Sequence, residues 1–88
     1  MAAINYKINY RRSVKKDLHK LAKTDRVVII EKILALAKNP RPIGYIKLQG
    51  GQNLYRIRHT DYRVIYQIDD DVLTILVVKV GHRKNVYN

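Results

Sequence analysis

The run Val72-Leu73-Thr74-Ile75-Leu76-Val77-Val78-Lys79-Val80 narrows the choice of fold more than any other part of this chain. It is apolar at almost every position and rich in β-branched side chains, so it reads as a strand covered on both faces. It is far too short to cross a bilayer as a helix. A strand of this kind belongs in the middle of a sheet, and the rest of the chain has to supply its neighbours and the layer that covers it.

The start of the chain supplies the first neighbour. Ile4, Tyr6, Ile8 and Tyr10 alternate with Asn5, Lys7 and Asn9, a period of two that predicts a strand with one buried and one wet face. From Arg11 the period changes. Val14, Leu18 and Leu21 fall at i, i+4 and i+7, with Arg12, Lys15, Lys16, Asp17, His19 and Lys20 outside the stripe, as in a short basic amphipathic helix. Thr24 or Asp25 offers an N-cap for a second helix. Its apolar face is read as Val27, Ile30, Leu34 and Ala37 flanked by Ile29, Ile33 and Leu36, broad enough to be largely buried. Asn39-Pro40-Arg41-Pro42 ends that helix, because a residue before proline is pushed out of the helical region. The short link between the two helices makes them an antiparallel hairpin.

Gly50 and Gly51 punctuate the chain, and two more strands follow, Leu54 to Arg58 and Tyr62 to Ile68, joined by a turn at His59 to Asp61. If the loop is four residues long, Arg58 pairs with Arg63 and Arg56 with Ile65. All three arginines then share one face, and Tyr55, Ile57, Val64, Tyr66 and Ile68 share the other, whereas a register slip of one would scatter the arginines. Asp69-Asp70-Asp71 reads as a solvated turn and not as a metal site, since a metal would want ligands converging from elsewhere. Tracing strand directions gives an α+β fold, β-α-α-β-β-β. Its four-stranded antiparallel sheet has the order 1-4-3-2, the first strand lies antiparallel to the last, and both helices pack on one face. One domain spans residues 1–88, with no internal repeat or linker.

At 88 residues the chain buries only about 60 to 65% of its unfolded surface, so its elements must share one apolar layer. A 47% hydrophobic fraction is enough for that layer and argues against disorder. Eighteen Lys and Arg against seven Asp and Glu give a formal charge of +11, which suggests a polyanionic partner such as nucleic acid or a ribosome surface. The absence of cysteine excludes disulfides, thiol catalysis and cysteine-ligated zinc. No signal-like segment opens the chain, so a cytoplasmic protein without a membrane partner is expected.

Guanidinium forks at Arg56, Arg58 and Arg63 suit phosphate oxygens, although a merely solvated cationic face is the alternative. Gly81 lets the chain turn after the apolar strand and is expected to bring His82, Arg83 and Tyr87 to an edge of the arginine face. RNA is cut without a metal or cofactor when its own 2′-hydroxyl attacks the adjacent phosphate. That reaction needs a base, cations for the phosphorane and an acid for the leaving oxygen. The four arginines supply cations. Tyr87 is a base candidate if positive charge lowers its pKa, or else a platform on which a base stacks. His82 is a candidate acid or base, with an ordinary surface residue as its alternative.

These stretches resemble a known family. Leu48-Gln49-Gly50, Tyr55-Arg56-Ile57-Arg58, Tyr62-Arg63-Val64-Ile65-Tyr66 and Val80-Gly81-His82-Arg83-Lys84-Asn85-Val86-Tyr87 look like the RelE branch of the RelE/ParE toxin superfamily. The resemblance implies a type II toxin that enters the ribosomal A site, cleaves mRNA there and is held inactive by a cognate antitoxin. It implies further that Arg63 and Arg83 are the phosphate and transition-state arginines and Tyr87 the C-terminal catalytic tyrosine, with His82 kept as a candidate. Arg56, Arg58 and Lys84 are the expected RNA- and phosphate-binding cations. Known members carry lysines where Arg56 and Arg58 stand, and arginine is a poor proton donor, so no proton-transfer role carries over to those positions. The alternatives are a ParE-like inhibitor that binds DNA gyrase and a basic nucleic-acid-binding module.

Overall fold

Alternation and helical periodicity translate into seven elements in a computed structural model, which describes residues 5–50 and 53–84. They are β1 (Lys7–Tyr10), α1 (Arg12–His19), α2 (Lys23–Ala35), β2 (Ile46–Lys47), β3 (Leu54–His59), β4 (Tyr62–Asp69) and β5 (Thr74–His82). The strands form one sheet in the order β1-β5-β4-β3-β2. The expected order of the four longer strands holds, and the apolar run lies inside the sheet between β1 and β4 from Thr74 on, whereas Val72 and Leu73, expected in the strand, sit in the preceding turn and are exposed.

Two details correct the sequence reading, and one causes the other. A two-residue edge strand, β2, pairs antiparallel with β3 through Ile46 opposite Arg56 and Lys47 opposite Tyr55. It adds one reversal of direction after the helices, so every later strand points the opposite way from the expectation. The first strand therefore runs parallel to β5, with Lys7 beside Thr74 and Tyr10 beside Val77. A parallel pair needs a long crossover, and the helix hairpin with the β2–β4 meander provides it.

The buried layer lies between the helices and one sheet face. Val14 and Leu21 from the α1 region and Ile29, Ile33 and Leu36 from the α2 region meet Tyr55, Ile57, Val64, Tyr66, Ile68, Ile75, Val77 and Val80 from the strands. On α2 the buried stripe is centred on the flanking set 29, 33 and 36, spaced i, i+4 and i+7. Val27 and Leu34, expected inside, are about half exposed. Ile29, Ile33 and Leu36 are fully buried, and such side chains contribute about 1.5–3 kcal/mol each. The helix therefore turns this row to the sheet.

Asp17 on α1 also departs from the expectation of a solvated position. It is buried, its Oδ2 accepts the Val80 backbone N–H at 3.1 Å and its Oδ1 lies 3.3 Å from the Lys79 ammonium. The bond to Val80 has a topological reason. β1 pairs only with Thr74 to Val77 and leaves β5 at Arg11, whose N–H donates to the Val77 carbonyl at 2.9 Å. Beyond Val77 that edge of β5 has no strand partner among the described residues, and a buried backbone N–H there needs another acceptor.

At the opposite end of the sheet, Arg41 ties the α2–β2 loop to three strands or their flanks. Its guanidinium donates to Asp70 Oδ2 at 2.9 Å and to the Tyr55 hydroxyl at 3.2 Å, and Asp70 also accepts the Tyr6 hydroxyl at 2.6 Å. The Tyr66 hydroxyl, buried, donates to the Pro40 carbonyl at 2.7 Å. Asp69 Oδ1 accepts the N–H groups of Asp71 and Val72, so the acidic triplet is a side-chain-stabilised turn.

Candidate nucleic-acid interface

The β3–β4 hairpin sets the geometry of the cationic face. Its connection is tighter than expected, only Thr60 and Asp61, with Thr60 in the left-handed region at φ 52°. The register is the one the sequence predicts: Arg58 opposite Arg63 and Arg56 opposite Ile65. Facing residues of an antiparallel pair share a face and neighbours along a strand alternate, so the three arginines stand together away from the helices. Arg58 is exposed, Arg63 half-buried and Arg56 only 6% exposed. Burial, reinforced by the positive charges of Arg63 and Arg58, lowers the Arg56 pKa below its ordinary value. The site thus holds its innermost cation against both desolvation and repulsion, and an incoming phosphate would relieve the repulsion.

The same face carries a small apolar floor that sequence reasoning missed. Ile65 and Leu48 are buried there, with Leu54 and Val78 packed against them. A register shift between Ile65 and Tyr66 pairs Ile65 with Lys79 but Tyr66 with Val77. This leaves Val78 as the extra residue of a β-bulge and re-aims the end of β5. Neither the bulge nor the floor has a sequence signal as clear as a glycine or proline.

β5 then delivers its C-terminal residues to the hairpin. Gly81 lies opposite Arg63 and brings no side chain to that pair, and His82 lies opposite Tyr62. The Arg83 N–H donates to the Asp61 carbonyl at 2.8 Å, which anchors the tail to the hairpin turn. The Arg83 guanidinium is 3.8 Å from the Asp61 carboxylate, with both side chains 59% exposed. An ion pair so exposed contributes little, so Arg83 can exchange Asp61 for a phosphate at small cost. Asp61, which the sequence reading passed over as part of a turn, is therefore the hairpin-end counter-ion.

His82 does not join the arginine face, contrary to expectation. Strand alternation turns it to the side of Tyr62, which packs against the helix-side core, and the two rings meet edge-on at 5.7 Å. Its Nδ1 accepts the Lys84 N–H at 3.2 Å, and its Nε2 is 3.9 Å from Asp61. Lys84 itself is exposed. Residues 85–88, including Tyr87, lie outside the described residues. His19 is exposed on α1, and His59 forms a 3.1 Å contact with Asp25 of α2, closing the hairpin against the helices. The structure thus brings together Arg56, Arg58 and Arg63, with Arg83 at the end of the same hairpin, and sets His82 apart.

A five-stranded sheet carrying two helices on one face and an arginine cluster on the other defines a RelE-like toxin of the type II toxin–antitoxin class. The chain belongs to the RelE/ParE toxin family: the profile described as the ParE toxin of the type II toxin-antitoxin system parDE matches residues 8–87. A putative RelE-like toxin protein of Escherichia coli is 34% identical over 89 residues, covering 97% of this chain and 93% of the relative. The mRNA interferase toxin RelE of Escherichia coli K12 is 31% identical over 81 residues, covering 90% and 84%. Among solved structures, a chain of the archaeal RelE–RelB complex from Pyrococcus horikoshii superposes with a TM-score of 0.81 at 31% identity, covering 93% of this chain and 99% of that one.

Proposed function

We propose that this toxin is a ribosome-dependent endoribonuclease that cuts mRNA in the A site by metal-independent attack of the RNA's own 2′-hydroxyl. The observation that carries the reading is the register that gathers Arg56, Arg58 and Arg63 on one sheet face, with Arg83 exposed at the hairpin end. Two relatives bearing the name mRNA interferase support it. In the reaction the 2′-oxygen forms a bond to the adjacent phosphorus and the bond to the 5′-oxygen breaks. The products are a 2′,3′-cyclic phosphate and a 5′-hydroxyl. The 2′-hydroxyl proton leaves to a base and a proton reaches the departing oxygen. Arg63 and Arg83 neutralise the phosphorane, while Arg56, Arg58 and Lys84 hold the flanking backbone. Tyr87, outside the described residues, is the candidate base, a role that requires nearby positive charge to lower the pKa of its phenol. His82 orients the tail through the Lys84 N–H; a direct part in proton transfer would appear as an altered pH–rate profile in His82→Gln.

A cognate antitoxin is part of this reading, because several solved relatives are toxin–antitoxin complexes. An acidic or amphipathic partner matches a chain of charge +11. A cytoplasmic site of action goes with it. Purified protein on programmed ribosomes, read by primer extension, is the test. Wild type cleaves in the A site, Arg63→Ala and Arg83→Ala lose about 10²-fold or more in rate, and Tyr87→Phe is strongly impaired. Intact mRNA with wild type refutes the proposal. The family description as a ParE toxin favours one other reading, inhibition of DNA gyrase without catalysis. A supercoiling assay separates the two: inhibition that survives Arg83→Ala with Tyr87→Phe selects the gyrase reading.

A further inference from the structure

Beyond the arginines the same sheet face changes character. A trough of about 410 Å³, within the range of small-ligand sites, is lined by Asn9 of β1, Asn53, Gln67 and Asp69 of β4, and Thr74 and Leu76 of β5. Register places it on the arginine side. Asn9 pairs with Leu76, Leu76 with Gln67, and Gln67 with Leu54, which packs against Ile65 in the small apolar cluster. In a chain with 18 Lys and Arg, this lining contains no cation among the described residues.

Resting on the RNA reading above, we infer that this trough is a base-recognition subsite, in which the side-chain amides of Gln67, Asn9 and Asn53 read the edge of one unpaired nucleotide. Spacing supports the division of labour. Gln67 lies two residues past Ile65, the partner of Arg56, and four past Arg63, so it is about 7 Å and about 13 Å along the strand from the cations. Those are steps of roughly one and two nucleotides of an extended strand. Phosphate contacts fix register and base contacts carry sequence, and here the two kinds of group occupy separate stretches of one face. Leu76 gives the base an apolar floor. Asp69 Oδ1 accepts two backbone N–H groups, which fixes that carboxylate in the turn, so the amides are the groups of the trough that pair a donor with an acceptor.

The chemistry selects the base. A carboxamide offers a donor beside an acceptor, which matches the paired acceptor and donor of adenine. Guanine is best met by a cationic fork, which the trough does not have. The subsite therefore discriminates adenine from guanine.

The test uses the full chain labelled with ¹⁵N and the oligoribonucleotides UUAUU and UUGUU, without ribosomes. The expected result is that both shift the Arg56, Arg58 and Arg63 signals. UUAUU alone moves the side-chain amides of Gln67, Asn9 and Asn53, and it binds about tenfold more tightly. Gln67→Met reduces that preference to about twofold or less and leaves UUGUU affinity unchanged; Asn9→Ser carries the same comparison if Gln67→Met does not fold. Arginine shifts with amides that stay silent, or a preference unchanged in both variants, overturn the inference alone. Absence of any shift with either oligonucleotide overturns the inference, whereas the RNA reading it rests on stands or falls separately with cleavage on programmed ribosomes.

Discussion

Replacing Arg56 with methionine keeps an unbranched apolar stem in place and removes the charge, which separates what this residue does for the fold from what it does for a ligand. Arg56 is 6% exposed, and its two like-charged neighbours sit at fixed positions. Arg58 is two residues along the same strand, and Arg63 is the diagonal neighbour across the β3–β4 pair. Both are separated from it by about 7–8 Å. At an effective dielectric constant of about 20, each repulsion is about 2 kcal/mol before screening. Physiological salt, with a Debye length of about 8 Å, brings each down to about 1 kcal/mol or less. The depressed pKa of Arg56, caused first by burial and then by Arg63 and Arg58, gives the sign. The native state disfavours the charged form at every pH below that depressed value, so at neutral pH the charge opposes folding. Lost packing of the guanidinium and loss of the interaction it makes offset part of the relief, leaving a net gain of at most about 1 kcal/mol, or about 4–8 °C in Tm for a domain of this size. Thermal unfolding of wild type and Arg56→Met at low and high salt is the assay, with RNA affinity measured alongside. The expected pattern is a higher Tm whose margin narrows as salt rises, together with weaker RNA binding and a salt slope smaller by about one. A lower Tm, or a margin indifferent to salt, refutes the argument that repulsion is stored at this site.

Asp17→Ala leaves the buried Val80 N–H without its acceptor and is expected to destabilise the fold by about 2 kcal/mol, measured by urea unfolding at constant m. Tyr66→Phe removes the hydroxyl that bonds the Pro40 carbonyl and should cost about 1 kcal/mol by the same measurement. Asp70 has its pKa lowered, mainly by its hydrogen bond from Arg41 and next by that from Tyr6. Its contribution to stability is therefore complete above the unfolded value of about 3.9 and fades as pH falls through the depressed native value. Asp70→Asn should lower Tm at pH 7 and converge with wild type in strong acid; a constant difference across that range contradicts the ion-pair origin.

The hairpin register was legible because it rests on two local signals that agree, alternation on both strands and a short polar turn between them. Arg58 opposite Arg63 follows from these without any tertiary information. The helix boundaries were less legible. Neither Thr24 nor Asp25 caps α2, which begins at Lys23 with no side-chain cap, so packing of Ile29, Ile33 and Leu36 decides where the helix forms. The direction of β1 was hidden because it depends on β2, whose two residues are too few to show a period. Asp17 was hidden for a different reason. Its burial follows from an unpaired stretch of β5 lying 63 residues away, and only the assembled sheet creates the need for an acceptor there. A glycine at position 81 suggests release from the strand and so the wrong face for His82, whereas β5 continues through both residues and alternation decides the side.

The way β5 is held along its length bears on how the toxin can be disarmed. Its first half is clamped between two strands, whereas from Val78 onward it has β4 on one edge and, on the other, among the described residues, the Asp17 carboxylate of α1 at Val80. The end that carries Gly81, Arg83 and the tail is thus a candidate for a separate opening unit, able to detach from α1 at a fraction of the global unfolding free energy. A partner that engaged α1 near Asp17 would act on that unit like a hand on a hinge. It would displace Arg83 without covering it and leave the rest of the cationic face exposed. Hydrogen exchange at the Val80 amide, faster than at Val77 in the free protein, would register that unit directly.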